Sequence, residues 1–433
     1  MNPLRGHTRR LAVPRIVIAV CAAVGAGLVA GAFVPSGGFL RTPGYGQAAA
    51  LLLAVGLYGS THDIELAEVR RSLRVVLVAV TAGVLLKAAL IATVMVLAFH
   101  RPEYLVLGIA VAQIDPLSVA AMQDDPRVTP RAKAILSIWA SFDDPMTVLL
   151  TVYFSALALR LSDAGPATGS VVSDSADVFG SLLSNLLLFA AVLVLWWLIR
   201  LAFLVRTRSR SEGAGGAGRP SAPAAGAGPA HDRPLFLDVA ALLLVAVLLV
   251  VAARTTLVLA VALAGLAVRL GRFAGALQGA VALAFLLASA ALGVLLSDGV
   301  SLQQGVVLGV TAFAAQFLVA LLIGRLLVRP PLTRADRAHL GLGQQNGITA
   351  ILLALSLEPT FRGTVGVVGP AILTVNLLHY AFRWARADTW RWESVHRWAR
   401  ARRTPPRPAP RPSRRPLRTR RRDTVERSRI RAG

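Results

Sequence analysis

Asp115, Asp143 and Asp144 each interrupt an apolar stretch of the chain. The first stretch reads Gly108-Ile-Ala-Val-Ala-Gln-Ile-Asp115-Pro116-Leu-Ser-Val-Ala. The second reads Ser137-Ile-Trp-Ala-Ser141-Phe142-Asp143-Asp144-Pro145-Met-Thr147-Val-Leu-Leu. A charge at the centre of a bilayer costs at least ~3 kcal/mol on insertion scales, so an ionisable residue there is read as functional by default. Two adjacent carboxylates in a low dielectric cannot both ionise cheaply, and a hard monovalent cation can take the place of the missing proton. The residue types therefore predict competition between Na⁺ or Li⁺ and H⁺ for one site. The structural alternative is that Asp143 or Asp144 caps a half-helix at Pro145. Pro116 removes a helical donor and clashes with the preceding turn, which predicts a break beside Asp115 and free backbone groups able to bind ions.

A second interruption reads Gly341-Leu-Gly343-Gln344-Gln345-Asn346-Gly347-Ile-Thr349-Ala-Ile-Leu-Leu. Its glycines and amides, Gln345 and Asn346 among them, predict another broken helix; the alternative is a Gly-rich face between closely packed helices.

These residues need a membrane scaffold, and the composition supplies one. Of 433 residues, 55% are hydrophobic and only 16% charged, against about 25% charged in soluble domains. Unbroken apolar runs such as Val239 to Ala253 exclude the alternating pattern of a membrane barrel. About twelve helical spans are predicted: 16–34, 46–60, 73–99, 104–121, 134–159, 180–203, 235–253, 255–268, 273–296, 302–328, 338–357 and 364–384. With the N-terminus inside, the N-terminal segment and the inner loops together hold 22 basic residues and the outer loops 5, the bias expected of cytoplasmic segments. Twelve spans return the C-terminus to the same side. Spans three to five and ten to twelve can then form an inverted-topology pair, with two opposed broken helices crossing near the midplane.

The transmembrane domain is expected over 1–386, with a Gly/Ala/Ser/Pro-rich linker at 205–233 between two six-span halves. Residues 387–433 read as a disordered Pro/Arg-rich cytoplasmic tail. Of the formal charge of +24, 18 Arg lie from residue 383 onward; with Trp384, Trp390, Trp392 and Trp398 they fit contact with anionic lipid better than nucleic acid. Cys21 is the single cysteine, which excludes an intramolecular disulfide and cysteine-based metal centres. No nucleophile-and-base set or metal-ligand cluster is visible, so an enzyme is not expected, and no cofactor.

Asp115-Pro116 after Gln113-Ile114, followed by Asp143-Asp144, resembles the paired signature of the monovalent cation:proton antiporter superfamily. Gln316-Phe-Leu-Val-Ala-Leu-Leu-Ile-Gly-Arg-Leu and the run through Asn346-Gly347 resemble that family's tenth and eleventh spans. The resemblance covers residues 12–386 in span order and implies a secondary antiporter exchanging a monovalent cation, Na⁺ by preference, for H⁺ by alternating access across a bacterial cytoplasmic membrane. It also implies a homodimer. On this reading Asp144 is the principal ligand shared by the transported metal ion and the proton, Asp143 is the second titrating carboxylate, and Asp115 with Asn346 neutralises the half-helix ends. This chain departs from the pattern at Gln316, where the family usually has Lys or Arg, and at Ile114, where it has Thr. Lys87, the only Lys inside a span, is a possible substitute counter-charge; otherwise it snorkels. Two other readings stand beside this one: a cation-coupled symporter of an organic anion, and a nontransporting membrane sensor.

Overall fold

The computed structural model describes residues 15–33, 36–42, 44–62, 78–115, 119, 128–162, 175–213, 234–326, 332–343 and 346–403, and these are helical with short connections. The helices relevant to the site are α1 (Arg15–Gly31), α2 (Tyr45–His62), α3 (Val84–Phe99), α4 (Leu105–Ala110), α5 (Pro130–Leu161), α6 (Ser175–Gly213), α7 (Leu235–Thr255), α8 (Val258–Ala267), α9 (Ala274–Leu296), α10 (Leu302–Leu326), α11 (Arg334–Gly341), α12 (Ile348–Leu357) and α13 (Thr364–Arg403). Among the described residues, seven helices are long and apolar enough to cross a membrane, and shorter apolar helices include Val258–Ala267 and Ile348–Leu357. Many of their large side chains, such as Leu243, Val247, Leu283 and Leu373, stay exposed. That outward apolar face is the pattern of helices solvated by lipid.

Met1–Phe382 forms one packed unit and Arg383–Gly433 a second. Within the first, α2 packs on α7, α8, α9 and α12, and α1 lies along α9. A second set gathers α3, α4, α5, α10 and α11. Close approach needs small residues here: a Cβ on Gly108 of α4 would fall 2.7 Å from the Ala88 carbonyl oxygen of α3.

Two boundaries differ from the sequence reading. The linker expected to begin at 205 is helical as far as Gly213, because Arg206 to Gly213 holds no proline and simply prolongs α6. The tail expected to be disordered from 387 is helical to Arg403, since no proline follows Pro370 until Pro405. Residues 214–233 and 404–433 lie outside the described residues.

Candidate ion-binding site

Both predicted breaks occur, and each has its backbone groups satisfied by side chains. The first helix stops at Ala110, and residues 113–115 are non-helical, so the chain leaves the helix ahead of Asp115. Pro116, expected to cause the break, lies outside the described residues. Gln113 Nε2 donates to the Ala110 carbonyl (3.1 Å), and the Ile114 N–H donates to Asp143 Oδ2 (2.9 Å). The second break separates α11 from α12 between Gly341 and Ile348; Gln345 also lies outside the described residues. Its carbonyls are met from neighbouring helices: Leu340 by Gln316 Nε2 (3.0 Å), Leu342 by His379 Nδ1 (2.8 Å) and Asn346 by Asn376 Nδ2 (3.4 Å). Non-helical backbone survives at membrane depth only where protein supplies such partners.

The two breaks touch. A Cβ built on Gly347 would overlap the Asp115 carboxylate, so glycine is required for the backbone of one break to approach the side chain of the other. Asn346 is buried beside it.

Against a helix of each break packs α5, with Asp143 and Asp144 both buried. Neither caps a half-helix. Pro145 lies inside a continuous α5, whose start is capped instead by Thr129. The adjacent aspartates have opposite surroundings. Asp143 accepts three hydrogen bonds: from Lys87 Nζ (3.0 Å) and the Ile114 N–H on Oδ2, and from Trp139 Nε1 (3.1 Å) on Oδ1. Asp144 has both carboxyl oxygens buried with no hydrogen bond of ordinary length. Its electrostatic neighbours are Asp115, the Thr349 hydroxyl of α12, Asp143 and the Ser60 hydroxyl of α2.

Lys87 is therefore turned inward. Its ammonium bridges Asp143 and Gln316 Oε1 (3.1 Å) and lies 5.6 Å from the Trp139 ring centroid. Gln316 passes the connection on to Leu340, so one chain of hydrogen bonds runs from the second break through Gln316, Lys87 and Asp143 to the first. Sequence reasoning missed three members of the site. Trp139 could have been found from its i−4 spacing to Asp143 on one helix. Ser60 and Thr349 carry no local signal, because both reach Asp144 from distant parts of the chain.

Two buried carboxylates, one paired with an ammonium and one with no hydrogen bond of ordinary length, beside two touching helix breaks could hold a single cationic charge. Residues 3–216 match the family model described as "Sodium/hydrogen exchanger, transmembrane". Residues 3–216 thus belong to the cation:proton antiporter family. The family's substrates are monovalent cations and protons. Among solved structures, the sodium proton antiporter MjNhaP1 from Methanocaldococcus jannaschii is similar over 84% of this chain and 99% of that one, at 15% identity and a TM-score of 0.53. At that identity the likeness is one of fold. No curated protein matches this chain.

Proposed function

We propose that the protein exchanges Na⁺ for H⁺ by alternating access across a bacterial cytoplasmic membrane, both termini lying in the cytoplasm, with Asp144 as the group that carries either ion. The observation behind this reading is the contrast between the two aspartates. Asp143 is held by three donors, one of them an ammonium. Asp144 offers two buried, unsatisfied acceptor oxygens, a costly arrangement unless a proton or a cation completes it. The hydroxyl oxygens of Ser60 and Thr349 and the Asp115 carboxylate add hard ligands of the kind that suit a small cation.

Lys87 weakens the organic-anion reading, which drew its support from the missing basic residue at Gln316. The test is proton movement in everted vesicles, followed with a pH-sensitive dye on adding Na⁺, Li⁺, K⁺ or Rb⁺ separately. Asp144→Asn keeps the side-chain volume but cannot exchange a proton, and should abolish the response at normal expression. Wild-type transport by that variant would overturn the assignment.

A further inference from the structure

A cavity of about 210 Å³ lies between α2, α5, α6, α8 and α12. Its lining includes Val148 and Thr151 of α5, Ser356 of α12, Tyr45 of α2, and Arg254 and Thr256 at the turn joining α7 to α8. Arg254 in the last turn of α7 and the connecting residues Thr256, Pro359 and Thr360, which also line it, lie at connections that the charge bias assigns to the outer face. Thr151 stands two turns beyond Asp144 on the same helix, about 10 Å along its axis, and on the same face, since seven residues make nearly two full turns.

Four hydroxyls of this lining share one property. Thr151 donates to the Thr147 carbonyl (2.7 Å), Ser356 to Leu352 (2.8 Å), Thr256 to Thr255 (2.6 Å) and Tyr45 to Leu355 (3.0 Å). Between the cavity and the site, Thr147 donates to the Asp144 carbonyl (2.8 Å), and beside Asp144, Ser60 donates to Leu57 (3.0 Å). A hydroxyl has one proton and two lone pairs. With the proton used on backbone, each oxygen presents only lone pairs to the space in front of it. These oxygens can replace hydration oxygens of a cation; the side-chain donors of the lining other than hydroxyls are the amides of Gln47 and Asn185 and the Arg254 guanidinium.

We propose that this cavity is the entry vestibule for the transported cation, that the Thr151 hydroxyl oxygen is a ligand on its way to Asp144, and that the exposed Arg254 on the rim lowers the apparent affinity by repelling it. The proposal rests on Asp144 being the exchange site. Entering Na⁺ sheds water onto Thr151 before it reaches the buried carboxylate. Arg254 opposes that entry through the field at the mouth, an effect that salt screens.

Thr151→Val keeps the shape and removes the oxygen. It should raise the Na⁺ concentration for half-maximal exchange about fivefold, the worth of one lost polar contact, and Thr151→Ser should restore it. Arg254→Gln should shift the same quantity downward, most at low ionic strength. In a Cys21→Ser background, which leaves no native thiol, Ser356→Cys should react with a membrane-impermeant thiol reagent from the face that labels Arg362→Cys, and Na⁺ should slow that reaction. Unchanged half-saturation in Thr151→Val, with Asp144→Asn inactive, would overturn the vestibule and leave the site standing. Labelling of Ser356→Cys only from the opposite face would do the same. Retained transport in Asp144→Asn would overturn the exchange site and the vestibule together.

Discussion

Lys87 Nζ lies 3.0 Å from Asp143 Oδ2, and neither side chain is exposed. The partner of an α5 carboxylate thus comes from α3, while Gln316 of α10 accepts from the same ammonium. The counter-charge that Gln316 lacks is supplied from another helix and delivered to the same place.

Removing one member of a buried pair leaves the other charge uncompensated, typically at about 3–5 kcal/mol. Lys87→Gln should therefore lower the melting temperature of the purified protein sharply and suppress transport. Exchanging the two residues, Lys87→Gln with Gln316→Lys, returns one ammonium and one amide to the same contact and should recover much of both. A double variant no better than Lys87→Gln alone would show that the ammonium must come from α3.

On the proposed reading Asp143 is neutralised by Lys87 and Asp144 takes one charge, either H⁺ or Na⁺. One-for-one exchange moves no net charge. The rate of Na⁺-driven proton movement should then be unchanged when a K⁺ gradient with an ionophore sets the membrane potential to different values. A rate that follows the potential would mean that the Lys87–Asp143 pair opens and contributes a second proton.

Gly347→Ala places a methyl group where the Asp115 carboxylate now sits. Forced overpacking of this kind costs about 1–3 kcal/mol, and here it separates the two breaks. Transport should fall well before expression does. Pairing it with Asp115→Ala, which removes the clashing carboxylate, should restore the melting temperature but not transport, as read by thermal unfolding alongside the vesicle assay.

Asp336, two residues before the eleventh predicted span, accepts from the Thr129 N–H (2.8 Å) and from the Thr333 N–H (3.2 Å), forming a capping box at the start of α11. Burial pushes its carboxyl up, but the hydrogen bonds from Thr129 and Thr333 outweigh that and hold it below the ordinary carboxylate range. A folded-state value below the unfolded value of about 3.9 gives stability that is present above pH 4 and lost as pH falls through the folded value. Asp336→Ala should lower the melting temperature at pH 7 and flatten its decline in acid. The same acid slope in both proteins would remove Asp336 from the linkage.

Much of this was legible in residue order alone. Apolar runs of membrane length, carboxylates within them, and Pro and Gly at two points specify helices and breaks, because each of those signals acts through its own stretch of backbone and the surrounding lipid. The role of Lys87 was not legible: whether a lysine in mid-span snorkels or turns inward depends on what packs against that face of the helix. Nor was the unequal fate of Asp143 and Asp144, which are identical in type and adjacent in sequence. Their side chains project about 100° apart around α5, so one meets Trp139, Lys87 and the first break while the other meets Ser60 and Thr349. The apolar pattern had already made both helical and buried; only the helices brought around α5 decided which one kept its oxygens free.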